Sequence, residues 1–198
     1  AASVGAPGAG CQGGRGVGGR GRRMGGVQKA LLPAPDGSGS LVSRLIRLGR
    51  SSGLEVVLLG EASLGTEPSA VTQLPDFARD VGPLAGLARL LHYAGPRPAL
   101  CLACDLPFVD AALLQRLSTE QPSAVVLAPR AAASGKWDAL FARYDTPRVA
   151  PLLAAALAQG ERSFQGLFRR LNVCELALSA AEQRALRDWD TPEDMLDP

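Results

Sequence analysis

Two short segments hold the side chains best suited to phosphate chemistry. The first is Gly18-Gly19-Arg20-Gly21-Arg22-Arg23-Met24-Gly25-Gly26-Val27-Gln28-Lys29. Its glycines let the backbone turn tightly and aim several N–H groups at one anion, the concavity that phosphates occupy. Arg23 adds a planar, permanently charged cation and Lys29 a mobile one. A structureless basic tail would account for residues 1–15, but Met24, Val27 and Ala30–Leu32 give residues 16–32 something to bury. The second segment is Cys104-Asp105-Leu106-Pro107-Phe108, with a carboxylate at the C-terminal tip of an apolar run. Burying an acid is costly unless it is paired or meets a cation. Magnesium, held by one or two protein carboxylates and by substrate phosphates, suits that place. Asp105 can equally well open the turn before Pro107. Beside a phosphate loop, the metal reading gains weight.

Other spacings lead nowhere. Gly16-Val17-Gly18-Gly19-Arg20-Gly21 fits the dinucleotide pattern G-x-G-x-x-G, and so does Gly14–Gly19, but no strand is read before either. Cys101 and Cys104 form a C-x-x-C, read as lying inside one strand with side chains on opposite faces, and no second pair or nearby histidine completes a zinc site. They read as core cysteines. His92, the only histidine, sits at the C-terminal end of a helical segment, where it meets the dipole; no G-x-S-x-G elbow accompanies it.

The elements that must position these groups follow from apolar periodicity. Leu41, Leu45, Ile46 and Leu48 mark a helix with Ser40 as N-cap. Leu54–Leu59, Ala99–Cys104, Ala124–Ala128, Ala139–Tyr144 and Val173–Leu178 read as strands. Pro83–Tyr93, Ala111–Leu117, Val149–Ala158 and Phe164–Leu171 read as helices, and Asp190-Thr191-Pro192-Glu193-Asp194 as a helix start. Residues 61–80 read as loop. Residues 1–15 read as a low-complexity, disordered lead, leaving 16–198 as one domain. Uniformly apolar strands alternating with amphipathic helices predict a doubly wound α/β domain with a mainly parallel sheet. Ligands of such sheets bind beyond the carboxyl ends of the strands.

Composition narrows the function. The 198 residues are 46% hydrophobic and 20% charged with a net charge of +2, enough for one substantial core. Residues 1–35 hold Arg15, Arg20, Arg22, Arg23 and Lys29 and no acid, so the remaining 163 residues carry a net −3 against the chain's +2. One basic loop on a mildly acidic body suits a small polyanion, whereas nucleic-acid binders spread positive charge over a wide face. No apolar run reaches the roughly 20 residues of a membrane helix. The 4 cysteines are too few for a disulfide scaffold, which points to the cytoplasm. No nucleic acid and no membrane partner is expected.

In this order and spacing the motifs resemble those of a known family. The run GGRGRRMGGVQKALL is similar to the signature loop of the molybdenum cofactor guanylyltransferases, G-G-x-S-x-R-M-G-x-x-K. Gly82-Pro83-Leu84-Ala85-Gly86-Leu87 and Cys104-Asp105-Leu106-Pro107-Phe108 resemble that family's G-P-L-A-G-L and C-D-x-P-F segments. Ala158-Gln159-Gly160-Glu161-Arg162 and Asp190-Thr191-Pro192-Glu193-Asp194 resemble its A-x-G-E-R and N-T-P-E-D segments. The resemblance spans residues 16–196.

It implies a Rossmann-like nucleotidyltransferase fold and transfer of GMP from GTP to the Mo-molybdopterin cofactor, with release of pyrophosphate. It also implies that Gly16, Val17 and Gly18 open the loop on the nucleotide, that Lys29 meets the triphosphate, that Asp76 contacts the nucleotide and that Asp105 binds magnesium. Other cofactor-biosynthesis proteins and apo-molybdoenzymes would be its protein partners. Phosphoryl transfer needs positioning and charge neutralisation rather than a protein nucleophile, which suits Lys29, Arg23 and Asp105 as the catalytic set. Where the family opens with a hydrophobic strand, this chain has Cys11-Gln12-Gly13-Gly14-Arg15-Gly16-Val17, whose glycines make a poor central strand. Gln28 stands where an acid commonly precedes the lysine, Gly21 where serine or alanine is usual, and Asp190 where asparagine is usual. Two alternatives remain. A cytidylyltransferase for the same cofactor would show a G-D-M-P type segment in place of Cys104–Pro107, and a non-catalytic nucleotide-binding protein would keep the fold but have lost its first strand.

Overall fold

The computed structural model of the chain describes residues 3–7, 31–59, 71–74, 83–131 and 134–187. In chain order the elements are β1 (Ser3–Pro7), α1 (Leu41–Ser51), β2 (Glu55–Leu59), β3 (Thr72–Leu74), α2 (Pro83–Ala94), β4 (Ala99–Leu102), α3 (Ala111–Thr119), β5 (Val126–Ala128), β6 (Phe141–Tyr144), α4 (Thr146–Ala158), α5 (Phe164–Phe168), β7 (Val173–Glu175) and α6 (Ala180–Ala185). The strands form one sheet in the order β3-β2-β1-β4-β6-β5-β7. All pairings are parallel except those of β6, which runs antiparallel to β4 and to β5.

Alternation along the strands explains why helices cover both faces. Val57, Leu59, Cys101 and Tyr144 join Leu84, Leu87, Leu90 and Leu91 of α2, Val149 and Leu153 of α4 and Leu167 and Phe168 of α5. Their neighbours Leu100, Leu102 and Phe141 face the other way, against Leu113, Leu114 and Leu117 of α3. Val56 and Leu58 do the same against Val42 and Ile46 of α1. A strand buried on both sides needs apolar residues at every position, which is why these segments read as unbroken apolar runs. Each fully buried leucine contributes about 1.5–3 kcal/mol relative to exposure. The expected doubly wound, mainly parallel architecture is therefore present.

The first strand corrects the sequence reading. Residues 1–15 were expected to lack structure, yet Ser3–Pro7 is a central strand, pairing in parallel with Glu55–Leu59 on one side and Ala99–Cys101 on the other. The physical reason is tertiary. β2 and β4 are apolar strands whose facing backbone groups need a partner, and that pairing outweighs the poor strand propensity of Ser-Val-Gly-Ala-Pro. The segment 11–17, expected to be a weak first strand, lies outside the described residues, as does Asp190–Asp194. Two further elements differ. Thr72–Leu74 adds a short edge strand beside β2 in a stretch expected to be loop. α6 is started by a capping box in which Ser179 and Glu182 each bond the other's backbone N–H.

The Ser40 cap is as expected: its hydroxyl accepts from the N–H of Ser43. Cys101 is buried in β4, whereas Cys104 lies two residues beyond the strand's end and is half-buried. The two pack on opposite faces, Cys101 within the α2 side and Cys104 against the α1 side. Among the described residues, no helix is long and apolar enough to cross a membrane.

Candidate active site at the carboxyl edge of the sheet

Strand direction decides which loops meet. β1, β2, β3, β4, β5 and β7 all end at one edge, and the antiparallel β6 starts there. The segment bearing Gly16, Val17, Gly18, Arg23 and Lys29 follows the end of β1, and Asp76 follows Leu74 of β3 by two residues. These six residues lie outside the described ones. Asp105 is described, three residues beyond the end of β4 and half-buried in a turn.

That turn is held on both sides. Leu106 is 4% exposed and enters the core on the α3 face. Phe108 packs against the cluster of Leu32, Ala34 and Leu41. On the strand side, the N–H of Ala103 donates to Leu140 O at 2.7 Å, extending the β4–β6 ladder toward Asp105. Apolar anchors after the acid and a backbone bond before it therefore fix where the carboxylate sits.

Phe108 also links this turn to the far end of the glycine-rich loop. Leu32, three residues beyond Lys29 in the chain, is buried in the cluster that receives Phe108. The stretch around it is a tight return: Leu41 N–H donates to Leu32 O at 2.9 Å and Ala34 N–H to Gly39 O at 2.7 Å. Gly37 and Gly39 take φ of 69° and 102° there, backbone values that a Cβ would strain. Asp36 closes the turn, accepting from Ser38 N–H at 3.0 Å and from Arg44 Nε at 3.0 Å. Ser38, through its side chain first and its backbone N–H second, holds the carboxyl pKa below the usual range, with Arg44 adding to it. The described residues on either side of segment 8–30 are thus a central strand and a pinned return.

Beyond β5 the chain makes an arm, residues 129–138, of which 132 and 133 lie outside the described residues. Ala131 N–H donates to Lys136 O at 2.8 Å and Asp138 N–H to Pro129 O at 2.9 Å. The Arg130 guanidinium lies over the Trp137 ring, 3.8 Å from its centroid. Gln165 of α5 donates to Trp137 O at 2.7 Å. No motif marks this arm in the sequence, although Lys136 is one of only two lysines in the chain.

The A-x-G-E-R stretch joins α4 to α5. Gly160 takes φ 82° after the helix end. Glu161 Oε1 accepts from the N–H of Arg162, the N–H of Ser163 and the Ser163 hydroxyl, at 3.0, 3.0 and 2.9 Å. The backbone bond from Ser163 is the leading cause of its lowered pKa. Arg162 donates to Leu157 O and Glu161 O at 3.1 and 2.9 Å.

Among the described residues no three His, Cys, Asp or Glu side chains gather to hold a metal. Asp105, a carboxylate at a strand tip, is the kind of ligand that magnesium takes, one or two from the protein with water and phosphate completing the shell.

Comparison with known proteins agrees with this fold. The sequence pattern of the MobA-like NTP transferase domain matches residues 17–174. A molybdenum cofactor guanylyltransferase of Pseudomonas entomophila is 33% identical over 186 residues, covering 91% of this chain and 93% of the relative. One of Pseudomonas syringae pv. syringae is 34% identical over 179 residues, covering 89% and 87%. Among solved structures, molybdopterin-guanine dinucleotide biosynthesis protein A from Archaeoglobus fulgidus superposes with a TM-score of 0.72 at 22% identity, over 98% of this chain and 95% of that one. The 2-C-methyl-D-erythritol 4-phosphate cytidylyltransferase of Thermus thermophilus superposes with a TM-score of 0.65 at 18% identity, over 98% and 95%; at that identity it speaks for the fold alone. With a family pattern across most of its length and relatives above 30% identity over nearly all of it, this chain belongs to the family of MobA-like NTP transferases.

Proposed function

We propose that the chain transfers GMP from GTP to the Mo-molybdopterin cofactor, giving the guanine dinucleotide form and pyrophosphate. The observation that supports this reading most is the place of Asp105. It stands at the carboxyl end of β4, in a turn packed through Phe108 against the return of the glycine-rich loop. A dinucleotide product requires an acceptor phosphate oxygen to attack the α-phosphorus of GTP while the bond to the β-phosphate breaks.

Asp105 is the residue that would hold magnesium; when bound, the ion neutralises phosphate charge as a Lewis acid. Lys29 and Arg23 would stabilise the charge that builds on pyrophosphate as it leaves. Gly16, Val17 and Gly18 would let the backbone approach the nucleotide, and Asp76 would contact it from the β3 side. None of these groups needs to act as a nucleophile, since the acceptor phosphate is one already.

The test is turnover of the purified chain with Mo-molybdopterin and magnesium, offering GTP or CTP in parallel. Pyrophosphate release with GTP and little with CTP supports the reading. Preference for CTP would make the chain a cytidylyltransferase, and nucleotide binding without pyrophosphate release would make it a binding protein.

A further inference from the structure

We infer that Lys136 is the cation that recognises the phosphate of the acceptor substrate, presented from a braced arm beside the strand that carries the Asp105 turn. The inference rests on the GMP-transfer reading, and it concerns the substrate that GTP must meet.

The arm's position comes from the sheet. It leaves β5 and enters β6 at the carboxyl edge, and Leu140 at its end accepts from Ala103, two residues before Asp105. In the strand order β1 lies on one side of β4, while β6 and β5 lie on the other. The arm therefore leaves the sheet on the side of β4 away from β1, next to the strand that carries the Asp105 turn.

The arm is held more firmly than an exposed connection requires. Arg130 stacks on Trp137 at 3.8 Å, donates through Nη1 to Gly135 O at 2.8 Å and pairs through Nε with Glu175 at 3.4 Å. Trp137 also packs near Phe168, centroid to centroid 6.4 Å, and receives Gln165 on its carbonyl. All of this fixes the two residues on either side of the arm and leaves Lys136 exposed between them. Arg130 spends its donors on Gly135 O and Glu175, whereas Lys136 has no ion pair among the described residues.

Residue choice points the same way. Of 21 basic residues only Lys29 and Lys136 are lysines. Arginine is the residue that stacks and braces, as Arg130 does, while lysine is a mobile point charge suited to meeting a phosphate from a flexible stem. In chain order Lys29 comes after β1 and Lys136 after β5.

The test is calorimetric titration of the full chain and of Lys136→Gln, each with Mo-molybdopterin and separately with GTP and magnesium. Losing a charge-assisted hydrogen bond should weaken Mo-molybdopterin binding roughly ten- to a hundredfold and leave GTP affinity unchanged. Lys136→Arg should recover part of the loss. Equal Mo-molybdopterin affinity in wild type and Lys136→Gln overturns the inference, as does an equal loss for GTP. If the wild-type chain binds GTP but no Mo-molybdopterin, the GMP-transfer reading fails first and this inference falls with it.

Discussion

The backbone N–H of Ala103 donates to the carbonyl oxygen of Leu140 at 2.7 Å, one step past the last β4–β6 register pair, Leu102 with Phe141. The sheet thus keeps hold of the chain up to two residues before Asp105, and Leu106 takes hold of it again just after. The groups that hold the turn, the Ala103 N–H and the Leu106 side chain, are not those of the carboxylate. Asp105→Asn should therefore stay folded, losing no more than about 1 kcal/mol of stability. It should lose roughly a thousandfold in kcat, because several kcal/mol of charge compensation disappear. Steady-state kinetics beside urea unfolding checks both halves, and a folded Asp105→Asn protein with near-normal turnover would refute the metal assignment.

Phe108 joins the Asp105 turn to Leu32, Ala34 and Leu41. Phe108→Ala should cost about 2 kcal/mol, below the ~3–5 kcal/mol of a fully buried phenylalanine, since this ring is half-buried. It should also raise the KM for GTP, because the return of the Lys29 loop loses its packing partner. A stability loss with unchanged KM would mean that this contact does not position the loop.

Much of this arrangement can be read from residue types alone. The caps and apolar runs placed α1, α2, β4 and α3 closely, because helix periods and two-sided burial leave plain patterns. Asp105 was legible as a strand-tip acid. β1 was not, since Ser-Val-Gly-Ala-Pro has little strand propensity and gains its place from the two neighbours that need it. β3 escaped for a related reason: a three-residue edge strand with two exposed positions has no pattern to detect. The arm around Lys136 escaped because its bracing joins Arg130, Trp137, Gln165 and Glu175, which only the tertiary fold brings together.

Gly49 on α1 faces β2 so closely that an added Cβ would lie 2.7 Å from Val56 Cγ2. Gly49→Ala should therefore destabilise the chain by about 1–3 kcal/mol through overpacking, despite alanine's better helix propensity. Combined with Val56→Ala, the loss should be smaller than the sum of the two single losses. Additive losses in denaturant unfolding would place the strain elsewhere.

α6 buries no side chain fully, and Arg116 of α3 holds it by donating to Glu182 and to Ala177 O, the latter at 2.9 Å. The Arg116 hydrogen bond, with further help from Ser179, lowers the Glu182 pKa from 4.5 to about 2. A depressed carboxyl pKa stabilises the fold above the unfolded value and loses that contribution as pH falls through the folded one. Wild type should therefore exceed Glu182→Gln by up to about 1 kcal/mol above pH 4.5, with the gap closing between pH 4.5 and 2. Thermal unfolding of both proteins across that range measures it, and a gap that does not change with pH would contradict the pairing.

GMP should move to the acceptor while pyrophosphate leaves, and the fate of a label follows both directly. With Mo-molybdopterin and magnesium, GTP labelled at the α-phosphorus should pass its label to the pterin product, and GTP labelled at the γ-phosphorus should leave its label in pyrophosphate. Label from the γ-position in the pterin product, or in free inorganic phosphate with no α-label transferred, would contradict the account.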